Sequence, residues 1–348
     1  MKQERLLMSS HLSDAFLAFA VPECRETSTL YCSLTEAIAA DEDLLLIAGQ
    51  APVGQPVPNL LFAAVHYLLV ADPTHPLAEY YATCTAEPKD STQAFPAFKD
   101  FVLSHQCEII ELLQTRLVQT NEVRRCACLF PAFMYALRYF DPQPLALLEI
   151  GCSAGLNLLW DRYRYEYDES GKEYGDRDSP TLITSEFLGK RSAGLEDSLP
   201  LVTQRIGVDL HPVDVSLPTE VNWLRALIWP EQHERRKLLE AAIQQQQEVE
   251  LDLRTGDGFA EVSSIAAEIP ADTLLCIYHT HVANQISREK GQAFLEAVRE
   301  LGRHRDLLHL FNNLYDAHLR LQVYRGGILT RETLANTDGH GRWLEWLA

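Results

Sequence analysis

Three carboxylates sit at the ends of predicted strands: Glu149 in Leu145-Ala-Leu-Leu-Glu-Ile150, Asp209 in Arg205-Ile-Gly-Val-Asp-Leu210, and Asp257 in Gly256-Asp-Gly258, after Glu250-Leu-Asp-Leu-Arg254. Directly after the first comes a turn of small residues, Gly151-Cys152-Ser153-Ala154-Gly155, leading into Leu156-Asn157. Acids at the ends of successive buried strands can accept from the hydroxyls of a nucleoside, and small residues let a backbone approach such a ligand closely. A helix opening at Gly155 would add free N–H groups and a positive dipole end. A fourth apolar run ends in Tyr278-His-Thr-His-Val-Ala-Asn284. If that strand continues, His279 and His281 share a face. They could then serve as a general base or as two metal ligands, although no neighbouring carboxylate completes a metal set. Asn312-Asn313 ends a fifth run. Each feature also has a plain structural reading: a packing turn, solvated loop acids, core histidines.

The elements that must hold these residues follow from periodicity. From residue 145 on, strands alternate with helices, which predicts an α/β fold with a mostly parallel sheet and helices on both faces. Predicted strands are 145–150, 205–210, 250–254, 273–278 and 306–311, with helices over 155–162, 219–247, 259–267 and 287–303. Residues 319–324 and 327–331 form a hairpin around Gly326-Gly327 that closes the sheet. Tyr163, Tyr165 and Tyr167 alternate before a turn at Asp168-Glu-Ser-Gly171, so about 163–200 is read as a hairpin insertion. Residues 1–142 read as nearly all helix, with Leu6, Leu7 and Phe16 on one face, a buried run Leu60–Val70, and a helix from Pro96 to about Leu117. Thr120 or Asn121 caps a further helix reaching Phe140. The chain thus divides into a helical region, 1–142, which caps the cleft and selects substrate, and an α/β domain, 143–348.

Composition narrows the function. With 49 acidic and 30 basic residues the net charge is −19, a field that repels phosphate backbones, so no nucleic-acid partner is expected. No apolar run approaches a membrane span, and the N-terminus lacks a signal-peptide core, so a cytoplasmic protein is expected. The eight cysteines, Cys24 among them, include no Cys-x-x-Cys and read as reduced thiols rather than a zinc site.

Glu149-x-Gly151-x-Ser153-x-Gly155 resembles the first motif of class I S-adenosylmethionine (SAM) methyltransferases, with Ser153 at the middle glycine. That resemblance implies a Rossmann-like, methyltransferase-type sheet with SAM as cofactor. It places Glu149 near the cofactor's amino group, and Gly151, Cys152, Ser153, Gly155 and Asn157 along its ribose and methionine parts. Asp209 would hold the ribose, Asp257 the adenine amino group, and Arg125 the cofactor carboxylate by a bidentate pair. His279 and His281 would face the acceptor, a small molecule or protein side chain. Asp209 follows Glu149 by 60 residues rather than about 20, a gap the insertion accounts for. The missing Gly-x-Gly-x-x-Gly argues against an NAD enzyme. A non-catalytic SAM- or nucleotide-binding protein is the alternative, because no acceptor motif such as Asn/Asp-Pro-Pro-Tyr follows the fourth strand.

Five ordered segments resemble a bacterial family known as domain of unknown function 2332: 120–125, 148–163, 207–214, 223–231 and 340–346. They span nearly the whole chain. The resemblance implies no reaction, but it marks Asp161-Arg-Tyr163 and His340-Gly-Arg-Trp343 as signatures.

Overall fold

The computed structural model describes residues 2–19, 27–119, 121–168, 170–189, 195 and 198–348. Cys24, Thr120 and the side chains of Leu6 and Leu7 lie outside the described residues. The chain divides into two compact units, residues 1–120 with 217–237, and residues 121–216 with 238–348. No described helix is long and apolar enough to cross a membrane.

The first unit is helical: α1 (Lys2–Phe19), α2 (Thr29–Ala39), α3 (Glu42–Ala48), α4 (Val57–Ala71), α5 (Phe95–Ser104) and α6 (Gln106–Thr115). Ser28 and Asp41 cap α2 and α3 by accepting from the N–H groups of Tyr31 and Leu44. The apolar run 60–70 gives α4 its buried stretch from Leu60 to His66. The single helix predicted from Pro96 is two helices. His105 leaves helical geometry, and its ring and the Ser104 hydroxyl both bond the Phe101 carbonyl, competing with the helix ladder.

In the second unit α7 (Cys126–Leu137) precedes the sheet. Its start is not capped by Asn121; Glu122 instead accepts from the Arg124 N–H in a short 3-10 turn over Val123–Arg125. Five parallel strands follow: β1 (Leu145–Ile150), β6 (Val202–Asp209), β7 (Asp252–Thr255), β8 (Leu274–His279) and β9 (Leu307–Phe311), lying side by side as β7-β6-β1-β8-β9. The predicted terminal hairpin, β10 (Leu319–Arg325) and β11 (Ile328–Thr337), is antiparallel to β9 but does not close the sheet. β12 (Trp343–Trp346) and β5 (Glu186–Gly189) extend it to nine strands. The insertion is therefore more than a hairpin. β2 (Arg164–Glu166), β3 (Glu173–Gly175) and β4 (Leu182–Thr184) form a separate three-stranded sheet, and β5 joins the main one.

The helix predicted over 219–247 is broken by Pro230, which lacks the N–H to continue it. Its parts are α8 (Pro218–Ala226) and α9 (His233–Gln246), and α8 belongs to the first unit.

Two helices, α10 (Gly258–Glu268) and α11 (Arg288–His304), cover one sheet face, where Leu148, Ile150, Val208, Ile277, Phe259 and Phe294 form the core. The opposite face meets α7: Phe133 stacks on Trp160 at 4.5 Å and meets Tyr278 edge-on at 5.2 Å. Gly302 of α11 lies directly on the Tyr324 ring, with no room for a Cβ. Gly-to-Ala in a helix interior normally stabilises by about 1 kcal/mol. Gly302→Ala should instead destabilise by about 1–3 kcal/mol, since the helix must lift off a packed ring. Chemical denaturation checks the sign.

Candidate functional site

The turn after β1 holds strained backbone in place. Gly151 and Gly155 have φ of 75° and 72°, and Ser153, which carries a Cβ, has φ of 50°. A non-glycine residue in this region costs about 1–2 kcal/mol and persists only where its surroundings enforce it. Here they do. Gly151 donates to the Val208 carbonyl at 2.8 Å, and Ser153 N–H to Asp209 Oδ2 at 2.9 Å. Val213 N–H bonds the Ser153 carbonyl at 3.1 Å, and the Asn121 amide donates to the Cys152 carbonyl at 2.8 Å. Asp209 also accepts from His211 N–H at 2.9 Å.

Among the described residues, the other non-glycine residues with left-handed backbone are His281, φ 56°, and Asn313, φ 58°. Each follows the C-terminal end of a parallel strand: Ser153 after β1, His281 after β8, Asn313 after β9. β1 sits between β6 and β8, so the strand order changes direction between β1 and β8. That crevice, outside the carboxyl ends of the strands, is where open α/β sheets bind ligands.

Glu149 lies just inside this edge with 2 % of its surface exposed. Its register partner in β8 is Tyr278, whose hydroxyl is 3.4 Å from Oε2. Asn157 bonds the same carboxyl, while its own carbonyl accepts from the Cys126 thiol at 3.2 Å. Burial dominates, and the Glu149 pKa is raised to about 8; the Asn157 and Tyr278 hydrogen bonds and the nearby Arg125 charge oppose the rise. Just beyond, Arg205 and Asp161 form a buried bidentate pair, both bonds 2.6 Å.

The two histidines part company. The strand ends at His279, and the left-handed turn at His281 breaks the alternation that would have put both rings on one face. His279 is fully buried on the α10–α11 side, edge-on to Phe259 and Phe294, with Nε2 3.2 Å from His309 Nε2. Burial and the His309 ring hold its pKa well below 6.5. It is a core residue and does not face an acceptor. His281 is at the edge. Its N–H donates to Asn312 Oδ1 at 2.9 Å, and its ring nitrogens lie 3.3 Å from the Asn312 amide and 2.9 Å from that of Asn313. Desolvation, with Arg125 and His340 nearby, lowers its pKa to about 4, so the ring is neutral at pH 7.

Other expected residues are placed differently from the sequence reading. Residues 156–162 are a seven-residue 3-10 segment kinked at Leu159, so the turn is not followed by the α-helix whose dipole was expected. Cys152 and Asn157 are buried and face inward. Arg125 donates from Nε to the Gly339 carbonyl at 2.9 Å. Asp257 pairs with Lys290 of α11. A Cβ at Gly151 would come within 2.8 Å of Val282, and one at Gly155 within 2.9 Å of Leu251 and Leu253. Both glycines thus meet side chains. Sequence reasoning missed Tyr278, Lys290 and Val282. Tyr278 was within reach: aligning β1 with β8 places it opposite Glu149. Among the described residues, no three His, Cys, Asp or Glu side chains are placed to hold a metal.

Four of the five signature segments meet around this turn. Glu122 accepts from His340 Nδ1 at 3.2 Å, and Gly341, φ 71°, lies against the Arg124 backbone. Asp338, held near pKa 2 by Arg342 and by N–H groups of the same loop, anchors the 338–342 turn. Gly207 packs against Cys152. The fifth segment, 223–231, lies in the first unit. No curated protein and no solved structure matches the chain. A family profile described as "uncharacterized protein conserved in bacteria (DUF2332)" matches residues 13–346, nearly its whole length, and the chain belongs to that family.

Proposed function

We propose that the second unit is a Rossmann-like, methyltransferase-type domain that binds SAM on the 151–155 turn and transfers its methyl group to a small molecule or protein side chain. The observation that carries this reading is the gathering of three strained residues, Ser153, His281 and Asn313, with Glu149 and Asp209 at the edge where the strand order reverses. Such strain clusters at functional sites.

The donor set suits the cofactor's chemistry. Glu149 is a buried carboxyl, and a cationic ammonium or sulfonium beside it would favour its ionised form. Asp209, which accepts from the backbone N–H groups of Ser153 and His211 at the end of β6, is the carboxylate for the ribose hydroxyls. Asp257 is further committed by its ion pair with Lys290. Val282 occupies the space over Gly151, so ligand entry requires the loop after β8 to yield.

When bound, SAM supplies an activated methyl on a positively charged sulfur. The chain's part is to align donor and acceptor and exclude water. His281, neutral and fixed by Asn312 and Asn313, can receive the acceptor's proton. A second reading, a protein that binds without turnover, draws on Val282 over Gly151 and on the burial of His279, which leaves a single histidine of the pair at the edge.

Calorimetric titration with SAM and its demethylated product tests the proposal. Wild type should bind at one site. Gly151→Val should abolish binding, Asp209→Ala should weaken it at least about tenfold, or ~1.4 kcal/mol, and Val282→Ala should bind as tightly as wild type or more so. No binding by wild type, or unchanged binding by both weakening variants while folded, would sink it.

A further inference from the structure

A cavity of about 360 Å³ opens on the sheet face that carries α11, over β9, β10 and β11. Register aligns Phe311, Arg320 and Thr333 in one row across the three strands, and His309, Gln322 and Arg331 in the next. α11 packs against the row beyond, where Gly302 meets Tyr324. Tyr315, well exposed, stands edge-on to Phe311 with ring centres 5.9 Å apart.

The two arginines differ. Arg320 is committed: it binds Asp316 through Nε and Nη2 at 3.2 and 2.5 Å, and donates from Nη1 to Thr333 Oγ1 at 3.0 Å. That leaves the Thr333 hydroxyl proton free to be donated. Arg331 lines the cavity, is exposed, and makes no hydrogen bond or ion pair among the described residues. In a chain of net charge −19, an uncommitted guanidinium inside a cavity is a selective anchor for a carboxylate. The exposed Tyr315 ring offers a flat apolar surface, with the buried Phe311 edge-on to it. The volume suits a small organic molecule.

We infer that this cavity binds a small planar aromatic acid. The carboxylate pairs with Arg331 and takes a hydrogen bond from Thr333, while the ring lies against Tyr315. Phe311 directly precedes Asn312 and Asn313, which hold His281.

The probes are benzoate, benzamide as its uncharged counterpart, and cyclohexanecarboxylate as its non-planar one, titrated into the full-length chain. Benzoate should saturate, with the other two at least about tenfold weaker. Arg331→Gln should erase the preference for benzoate over benzamide, Arg331→Lys should keep part of it, and Tyr315→Ala should erase the preference over cyclohexanecarboxylate. Arg325→Gln, on the same hairpin, should bind as wild type. Absence of benzoate binding, or equal binding by Arg331→Gln, overturns the inference. SAM is titrated in parallel. The binding does not rest on the methyltransferase reading, so benzoate binding without SAM binding upholds the cavity. SAM binding without benzoate binding overturns the cavity alone.

Discussion

Arg205→Leu should destabilise the chain by about 3–5 kcal/mol, the loss expected when one partner of a buried ion pair is removed. Both guanidinium bonds to Asp161 are 2.6 Å, both side chains are almost fully buried, and Arg205 also donates to the Leu158 carbonyl. The variant leaves the Asp161 carboxylate uncompensated in a low-dielectric interior. The double variant Arg205→Leu/Asp161→Leu should recover a large part of the loss, because two apolar side chains replace the pair without a stranded charge. Guanidinium denaturation midpoints decide the matter; single variants each costing less than about 1 kcal/mol would contradict it. The effect should reach the candidate site. Asp161 lies in the 3-10 segment that follows the turn, and the pair fastens that segment to β6, the strand that ends in Asp209. Loosening it should release the constraint on Ser153.

Glu149→Gln should invert the usual effect of removing a charge. Burial raises the pKa of Glu149 to about 8 from its ordinary value near 4.5. Between those values the folded chain holds this proton more tightly than the unfolded chain does. The carboxyl therefore lowers stability progressively as pH climbs through that window, and the loss is complete above the folded pKa. A shift of this size corresponds to about 3–5 kcal/mol at pH 9, as an order of magnitude. Glu149→Gln keeps a neutral, hydrogen-bonding side chain beside Tyr278 and Asn157. It should match wild type near pH 5 and exceed it by a few kcal/mol at pH 9, while losing the charge that a cationic ligand needs. Unfolding curves of both proteins from pH 5 to pH 9 check the prediction. A wild-type-minus-variant difference that does not change with pH would show Glu149 ionised throughout.

Much of the parallel sheet was legible in the sequence because its strands are buried on both faces. β1, β8 and β9 are buried at every position and read as continuous apolar runs. Asp209 was legible for the same reason, since a charged residue after an apolar run marks where the strand leaves the core; Glu149, by contrast, is itself buried, and β7, before Asp257, is only partly buried. β12 and β5 escaped notice because they are four residues each and pair across a long sequence separation. The breaks at His105 and Pro230 were local events inside longer periodic stretches. At the site, periodicity put His279 and His281 together by assuming that the strand continued. Only the left-handed turn at His281, held by Asn312 and Asn313, shows that it does not. The packing of Val282 on Gly151 joins residues 131 positions apart and leaves no pattern in the chain.

The most direct test of the account is a crystal structure of the full chain grown with the demethylated form of SAM. The nucleoside should lie across Gly151 with its ribose on Asp209 and the cofactor's amino group beside Glu149, and Val282 should move off the glycine. A nucleoside bound elsewhere, or an unchanged turn with Val282 still seated on Gly151 at saturating ligand, would contradict it.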